Sequence, residues 1–290
     1  DNPMAKCVEL SLGEIFKGHP LSESIIGTKE SILGFDRDKV YEYYKRYYNP
    51  ENCTVSIAGN IGTMSAKQLQ LILNKFTHVG NKNTKNAKNA KNILCQNITS
   101  DYMNPVQTIP LEIQTHPNLI AVKEESTQQC AILIGFPCMN RYDDSGLYAI
   151  RVVASLLGGG LSSRLFVAIR EKAGLAYTIK ADSEYYQDTG LFLITTAIEK
   201  DSLLFSKNET NQPGGLSIIL KVLEELLRNG ANSSEVDRAK KNIVNKLSMA
   251  YEDTHTIALY YNELVMMDHK HIITIDEFIK KIKQVTLKQV

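Results

Sequence analysis

The stretch of sequence best suited to take part in chemistry is GGGLSSRLFVAIREKAGLAY, residues 158–177, which holds Arg170 and Tyr177 seven positions apart. Its pattern predicts a helix that ends near Lys172 and a strand that starts near Leu175, so the guanidinium and the phenol would lie on neighbouring elements. There they could converge on one carbonyl or carboxylate, because arginine binds such groups in a bidentate manner. In a purely structural alternative, Arg170 binds the last carbonyls of its helix and Tyr177 belongs to the core.

The other notable residues of this stretch are expected to serve the fold rather than catalysis. The glycines Gly158, Gly159 and Gly160 break a helix, and the phosphate-loop pattern G-x-x-x-x-G-K-[ST] is absent. Ser162 or Ser163 stands where the next helix needs an N-cap, and the nucleophile pattern G-x-S-x-G is not matched. We therefore expect a capping serine here and no catalytic nucleophile.

Histidines and cysteines give no sign of a metal site. Among six histidines only His269 and His271 are close, and their spacing does not match a pair four apart on a helix, so exposed loop histidines are the simpler interpretation. The five cysteines are odd in number and form no C-x-x-C pair, which predicts reduced thiols. They are Cys7, Cys53, Cys95, Cys130 and Cys138.

Length and composition set broad limits on the class of protein. A chain of 290 residues with 43% apolar and 22% charged residues allows one large or two medium globular domains, and we expect two. Its net charge of +1 gives no reason to expect nucleic acid as a partner. No apolar run approaches the roughly 20 residues that cross a bilayer, so we expect no membrane insertion. We expect a soluble protein of a reducing compartment, either the cytoplasm or an organelle matrix.

Hydrophobic periodicity and turn residues predict an α+β fold, with helices on one face of a mostly antiparallel sheet. Asp36 is predicted to cap one helix, Asp143 or Asp144 to cap another that ends at Leu157, and Gln187-Asp188 to form a strand turn. Further helices are predicted at 3–16, 65–76, 162–172, 214–229, 234–250, 254–267 and 275–283. Strands are predicted at 53–59, 118–125, 128–137, 174–186 and 189–199.

Two features of the chain predict a domain organisation. Residues 80–104 repeat Asn, Lys and Ala with few apolar side chains, which is typical of a linker or a long surface loop. The pattern of Val285–Val290 matches that of Phe35–Val40, where a helix begins. A repeat of this kind predicts two copies of one domain, the second of which stops where its last helix should start.

Two long segments carry a family resemblance. HPLSESIIGTKESILGFDRDKVYEYYKRYYNPENCTVSIAGNI, together with LLGGGLSSRLFVAIREKAGLAYTI and DTGLF, resembles the pitrilysin/insulinase family of zinc metallopeptidases, nearest to its processing-peptidase-like branch. The resemblance implies two similar α+β domains. Residues 1–79 would be the C-terminal part of a first domain that is incomplete at its N-terminus, and 80–110 a linker. Residues 111–290 would be a second domain that lacks its last helix and strand.

The resemblance also implies roles for particular residues. It places Arg170 and Tyr177 against the backbone of a substrate peptide near the scissile bond. It lets the run Gly158 to Gly160 approach a peptide or a facing domain. The zinc motif H-x-x-E-H of the family and its distant glutamate ligand are absent from this chain, so we expect no catalytic residue and no metal ligand in it. Zinc ligands are expected upstream of residue 1.

The function implied is that of the C-terminal portion of a zinc endopeptidase that cleaves peptides or presequences. This portion would supply substrate binding and would hydrolyse nothing by itself. One alternative is a non-catalytic family member that acts as a scaffold or a peptide-holding subunit. Another is a natural standalone product that partners a metal-bearing subunit in trans. The partners expected are an unfolded peptide substrate and a second subunit in a homo- or hetero-dimer.

Overall fold

The computed structural model describes residues 2–48, 52–60, 62, 64–65, 67–68, 71, 128–144, 146–204, 213–268 and 272–290. The strand predicted at 118–125, the linker at 80–110, Cys95 and the pair His269 and His271 lie outside these residues, as does most of the helix predicted at 65–76.

The described elements are helices and the strands of one sheet. The helices are α1 (Pro3–Ile15), α2 (Lys29–Leu33), α3 (Arg37–Tyr47), α4 (Leu147–Gly158), α5 (Gly215–Asn229), α6 (Ser233–Ala250), α7 (Thr254–Asp268) and α8 (Ile275–Gln284). A π-helical segment covers Phe166–Lys172, and short 3₁₀ turns cover Pro20–Ser22 and Lys200–Ser202. The strands are β1 (Gln129–Cys138), β2 (Ile179–Tyr185) and β3 (Gly190–Glu199). The α+β class is confirmed.

The chain divides into two compact units. One contains Asp1–Ile26, Thr108–Leu247 and Ile275–Val290, and the other contains Gly27–Gln107 and Ser248–Thr274. Every fully buried side chain among the described residues belongs to the first unit. In the second unit the Ser56 hydroxyl lies 3.4 Å from the amide oxygen of Asn262 on α7.

The sheet of the first unit is antiparallel, with the strand order β1-β3-β2. Ile194 of β3 lies opposite Ile134 on one side and Ala181 on the other. The turn between β2 and β3 is closed by the N–H of Tyr186, which donates to the Thr189 carbonyl at 2.9 Å. This is the turn predicted at residues 187–188, and it fixes the register of the pair.

One face of the sheet carries the main core. Alternate residues of a strand point to the same face, so Phe192, Ile194 and Ile198 of β3 all point into this core. Buried side chains of the helices and of the π-helical segment fill the space above them; the largest fully buried ones are Leu157, Leu165, Ile169, Ile219 and Ile282. Burying apolar surface in this layer is the main stabilisation of the unit.

The opposite face of the sheet is covered by α1. Gly135 of β1 has no side chain, and a Cβ there would lie 3.2 Å from Leu191 and nearer still to Ile15 at the end of α1. Because Leu191 alternates with the core residue Phe192, it points to the other face. The predicted arrangement, with helices on one face, therefore describes the core helices but leaves out α1.

Two predicted helix starts have different outcomes. Asp36 caps α3 as predicted, since its carboxylate accepts the Lys39 N–H at 2.8 Å. The cap predicted for α4 at Asp143 or Asp144 is wrong, because the helix begins later, with Gly146 at the N-cap and no side-chain capping bond. The burial of Leu147 shows that α4 begins where its apolar face meets the core.

The strand predicted at 53–59 is not formed. These residues belong to no sheet, and Val55 and Ile57 are exposed. Their β-branched side chains favour an extended chain, but a strand also needs a paired neighbour. No described strand pairs with this segment.

Candidate functional site

Arg170 and Tyr177 meet at the surface of the first unit. The guanidinium carbon of Arg170 lies 4.6 Å from the ring centroid of Tyr177 and 4.9 Å from that of Phe166. Both distances lie within the range of cation–π attraction. Tyr177 is 79% exposed, so the alternative that placed it in the core is wrong. The strand predicted to start near residue 175 begins instead at Ile179, which leaves Tyr177 in the loop before it.

A π-helical turn presents Arg170 to solvent. Within Phe166–Lys172 the side chain of Ile169 is fully buried and anchors the turn on the core. After it, the Ala173 N–H donates to the Ala168 carbonyl at 3.2 Å and the Leu175 N–H to the Ile169 carbonyl at 2.9 Å. Backbone donors thus satisfy the Ala168 and Ile169 carbonyls without Arg170. Isolated π-helical turns occur frequently at functional sites.

The charge of Arg170 has no carboxylate partner within the part of the chain that the structure describes. A guanidinium carries five N–H donors in one plane, and stacking against a ring uses its face rather than these donors. The N–H groups of Arg170 are therefore available to oxygen atoms of a ligand. The two cation–π contacts attract the group without neutralising its charge.

The glycine run Gly158 to Gly160 precedes the π-helical segment, and two of its glycines leave no room for a side chain. A Cβ on Gly158 would lie 2.7 Å from the carbonyl carbon of Lys180 on β2, and a Cβ on Gly159 would lie 2.6 Å from Cα of Ser155. A Cβ on Gly160 would meet no atom closer than 3.7 Å. At Gly158 the closely approaching group is β2 of the same chain. The predicted approach of this run to a peptide or a facing domain stays a prediction.

Helix α6 holds the glycine run in place through polar side chains. The amide of Asn242 donates to the Gly159 carbonyl at 2.9 Å and to the Ser155 hydroxyl at 3.1 Å. The ammonium of Lys246 donates to the same Gly159 carbonyl. The Ser155 hydroxyl in turn donates to the Ala239 carbonyl at 3.2 Å. These contacts fix the end of α4 and the turn that follows.

An ion pair fixes the start of the helix that carries Arg170. Arg164 donates to both carboxylate oxygens of Glu235 on α6 at 2.8 Å, and it also donates to the Gly230 carbonyl at 3.0 Å. The hydrogen bond from Arg164 lowers the pKa of Glu235 and raises that of Arg164. Seventy-one residues separate the partners, so no local pattern in the sequence identifies the pair.

The serines predicted to cap this helix do not do so through their hydroxyls. Ser163 is buried at the helix start, and within the described residues its hydroxyl has no hydrogen-bond partner. Its backbone carries the turn instead: the Ser163 N–H donates to the Gly160 carbonyl at 3.0 Å, and its carbonyl accepts from Val167 at 3.0 Å. Ser162 is exposed.

His19 is a buried histidine that the sequence did not single out. Its Nδ1 accepts the Leu21 N–H at 3.1 Å, so the proton lies on Nε2, which donates to the Asp188 carboxylate at 3.1 Å. This bond ties the loop after α1 to the turn between β2 and β3. Among the residues that the structure describes, no three His, Cys, Asp or Glu side chains come together in a way that could hold a metal ion.

Comparison with known sequences identifies the family of the chain. A sequence model described as "Peptidase M16 inactive domain" matches residues 34–243, which include the glycine run, Arg170 and Tyr177. The chain belongs to the M16 peptidase family. The resemblance to zinc metallopeptidases is thereby confirmed, and the part of an M16 protein present here is the one whose family description calls it inactive.

Relatives of this M16 chain are named as zinc proteases. An uncharacterized zinc protease of Bacillus subtilis, YmxG, is 27% identical over 95% of this chain and 58% of its own length. An uncharacterized zinc protease of Rickettsia bellii is 30% identical over 87% of this chain and 52% of its own length. The chain thus spans slightly more than half the length of these relatives.

Solved structures of other proteins share the fold. A protease from Helicobacter pylori superimposes with a TM-score of 0.72 at 16% identity, over 96% of this chain and 60% of that one. An M16 inactive domain from Pseudomonas fluorescens gives a TM-score of 0.65 at 16% identity, over 99% of this chain and 60% of that one. None of the described helices is both long and apolar enough to span a membrane.

Proposed function

We propose that this M16 chain forms the substrate-binding side of a zinc-dependent endopeptidase, in which Arg170 and Tyr177 hold an extended peptide. One observation carries the proposal: a guanidinium without a carboxylate partner in the described structure lies 4.6 Å from the ring centroid of an exposed tyrosine. The family of the chain and the names of its relatives support a peptidase.

The chemistry of the two groups suits an extended peptide. A peptide in this conformation leaves its carbonyl oxygens free to accept hydrogen bonds, and Arg170 offers several donors in one plane. The Tyr177 hydroxyl can donate to a second peptide oxygen. Charge-assisted hydrogen bonds of this kind are stronger than neutral ones and fix orientation. Two such contacts would hold a peptide bond still relative to the reacting groups, which lowers the entropic part of the barrier.

The metal part of the reaction is expected to lie outside the described residues. These residues contain no cluster of ligands that fits zinc, so we assign no step of the reaction to a metal held by them. On this proposal the 290-residue chain alone hydrolyses no peptide. Cleavage by this chain, with zinc added and a chelator as control, would contradict that.

The proposal is tested by steady-state kinetics of the full-length protein that contains this chain. We expect Arg170→Ala to raise KM for a fluorogenic peptide by about tenfold or more, because a hydrogen bond to a charged group contributes about 1.5–3 kcal/mol. Tyr177→Phe, which removes only the hydroxyl, should raise KM by about threefold or more. Arg228→Ala is the matched control, since Arg228 is an exposed arginine that pairs with Glu224 on α5. Unchanged kinetics in Arg170→Ala would contradict the proposal.

The scaffold alternative makes a different forecast for the same protein. A peptide-holding subunit would bind peptides through Arg170 and Tyr177 but cleave none. A pure scaffold would do neither, and its assembly with a second subunit would be insensitive to Arg170→Ala. Peptide turnover, peptide binding and sedimentation velocity of the full-length protein separate these cases, and the last also tests the predicted dimer.

A further inference from the structure

Phe166 contacts the Arg170 guanidinium, and the proposed function gives Phe166 no role. It lies four residues before Arg170 in the π-helical segment, and its ring centroid is 4.9 Å from the guanidinium carbon. Phe166 is only partly buried, so the ring borders the surface at which the guanidinium is presented. Arg170 is therefore in contact with two aromatic rings, one from its own helix and one from the loop before β2.

Two rings restrict an arginine more than one does. The arginine side chain has several rotatable bonds, and ordering them on binding costs conformational entropy. A ring that attracts the cation holds it before any ligand arrives, which lowers that cost on binding. Tyr177 is exposed and lies in a loop. Phe166 shares a helix with Arg170, next to the fully buried Leu165, and its ring packs against the core.

We infer that Phe166 is a positioning residue that preorients the Arg170 guanidinium for the peptide, and this inference rests on the proposed function. Phe166 also packs against the core, but on this inference its effect on peptide binding comes from the face of its ring. Aromatic residues should therefore replace it, and an aliphatic residue of similar size should not. Its effect should also disappear when Arg170 is absent.

The test is a double-mutant cycle in the full-length protein, with KM for a fluorogenic peptide as the readout and thermal unfolding measured in parallel. The variants are Phe166→Leu, Phe166→Tyr, Arg170→Ala and the double variant Phe166→Leu with Arg170→Ala. Phe278→Leu is the matched control, because the Phe278 ring centroid lies 5.1 Å from the guanidinium carbon of Arg151, a different arginine. Phe166→Tyr keeps an aromatic ring and shows whether Phe166→Leu acts through the ring or through a loss of folding.

We expect Phe166→Leu to raise KM by about two- to fivefold, the range that one cation–π contact provides. Phe166→Tyr should restore the wild-type KM, Phe278→Leu should leave KM unchanged, and Phe166→Leu should have no further effect in the Arg170→Ala background. The inference is overturned if Phe166→Leu raises KM by the same factor in the Arg170→Ala background as in wild type. It is also overturned if Phe166→Tyr raises KM as much as Phe166→Leu does. If Arg170→Ala itself leaves KM unchanged, the proposed function fails first.

Discussion

Substituting alanine for Gly158 tests how tightly the glycine run is packed. The added Cβ would lie 2.7 Å from the Lys180 carbonyl carbon, and the Ala181 backbone nitrogen would be closer still. Ordinary contacts begin near 3.4 Å, so α4 and β2 must separate by at least about 0.7 Å. Both groups belong to backbone in regular elements and cannot rotate away as a flexible side chain could. We expect a loss of about 1–3 kcal/mol or more, typical of overpacking in a core.

Gly160→Ala is the control for this prediction, because a Cβ there would meet nothing closer than 3.7 Å and the residue is not in the left-handed region. Its free energy of unfolding should stay within about 0.5 kcal/mol of wild type. The measurement is urea unfolding followed by far-UV circular dichroism on both variants. If Gly158→Ala is as stable as Gly160→Ala, the close packing of α4 on β2 described above is wrong.

Three further predictions follow from the contacts around the site. Tyr177→Phe should change the free energy of unfolding by less than about 0.5 kcal/mol, since the side chain is 79% exposed. Glu235→Gln should destabilise the protein by about 1 kcal/mol at neutral pH in urea unfolding. Because Arg164 lowers the pKa of folded Glu235, this difference should hold above pH 4.5 and disappear as the pH falls through the lower pKa; a difference that persists in acid would contradict the ion pair. Burial raises the pKa of the Cys138 thiol to about 11, so iodoacetamide at pH 8, read by mass spectrometry, should modify the exposed Cys53 first.

Elements with a strong period could be predicted from the sequence, and those set by distant contacts could not. The predicted bounds of α5 to α8 lie within two residues of their observed ends, because a helix satisfies its own backbone locally. The segment 53–59 has strand-like residues but needs a partner strand. The π-helical turn depends on how Ile169 meets the core, which a one-dimensional pattern does not contain.

Part of the candidate site could also be predicted from the sequence, and part could not. A guanidinium and a phenol seven residues apart across a predicted helix end were enough to expect that Arg170 and Tyr177 could meet, and the structure brings them together. Phe166 was missed although a local signal existed, since residues four apart on a helix are neighbours. Arg164 was missed because its partner Glu235 lies on another helix. Gly158 was noticed, but its contact with β2 becomes visible only in three dimensions.

The binding of an uncleaved peptide to the full-length protein tests the central claim most directly. Isothermal titration calorimetry without zinc measures the Kd for peptide binding through Arg170 and Tyr177 in the absence of turnover. Wild type is compared with Arg170→Ala. We predict that the Kd rises by about tenfold or more in the variant, consistent with the loss of a charged hydrogen bond. Equal dissociation constants for the two proteins would contradict the assignment of this surface to peptide binding.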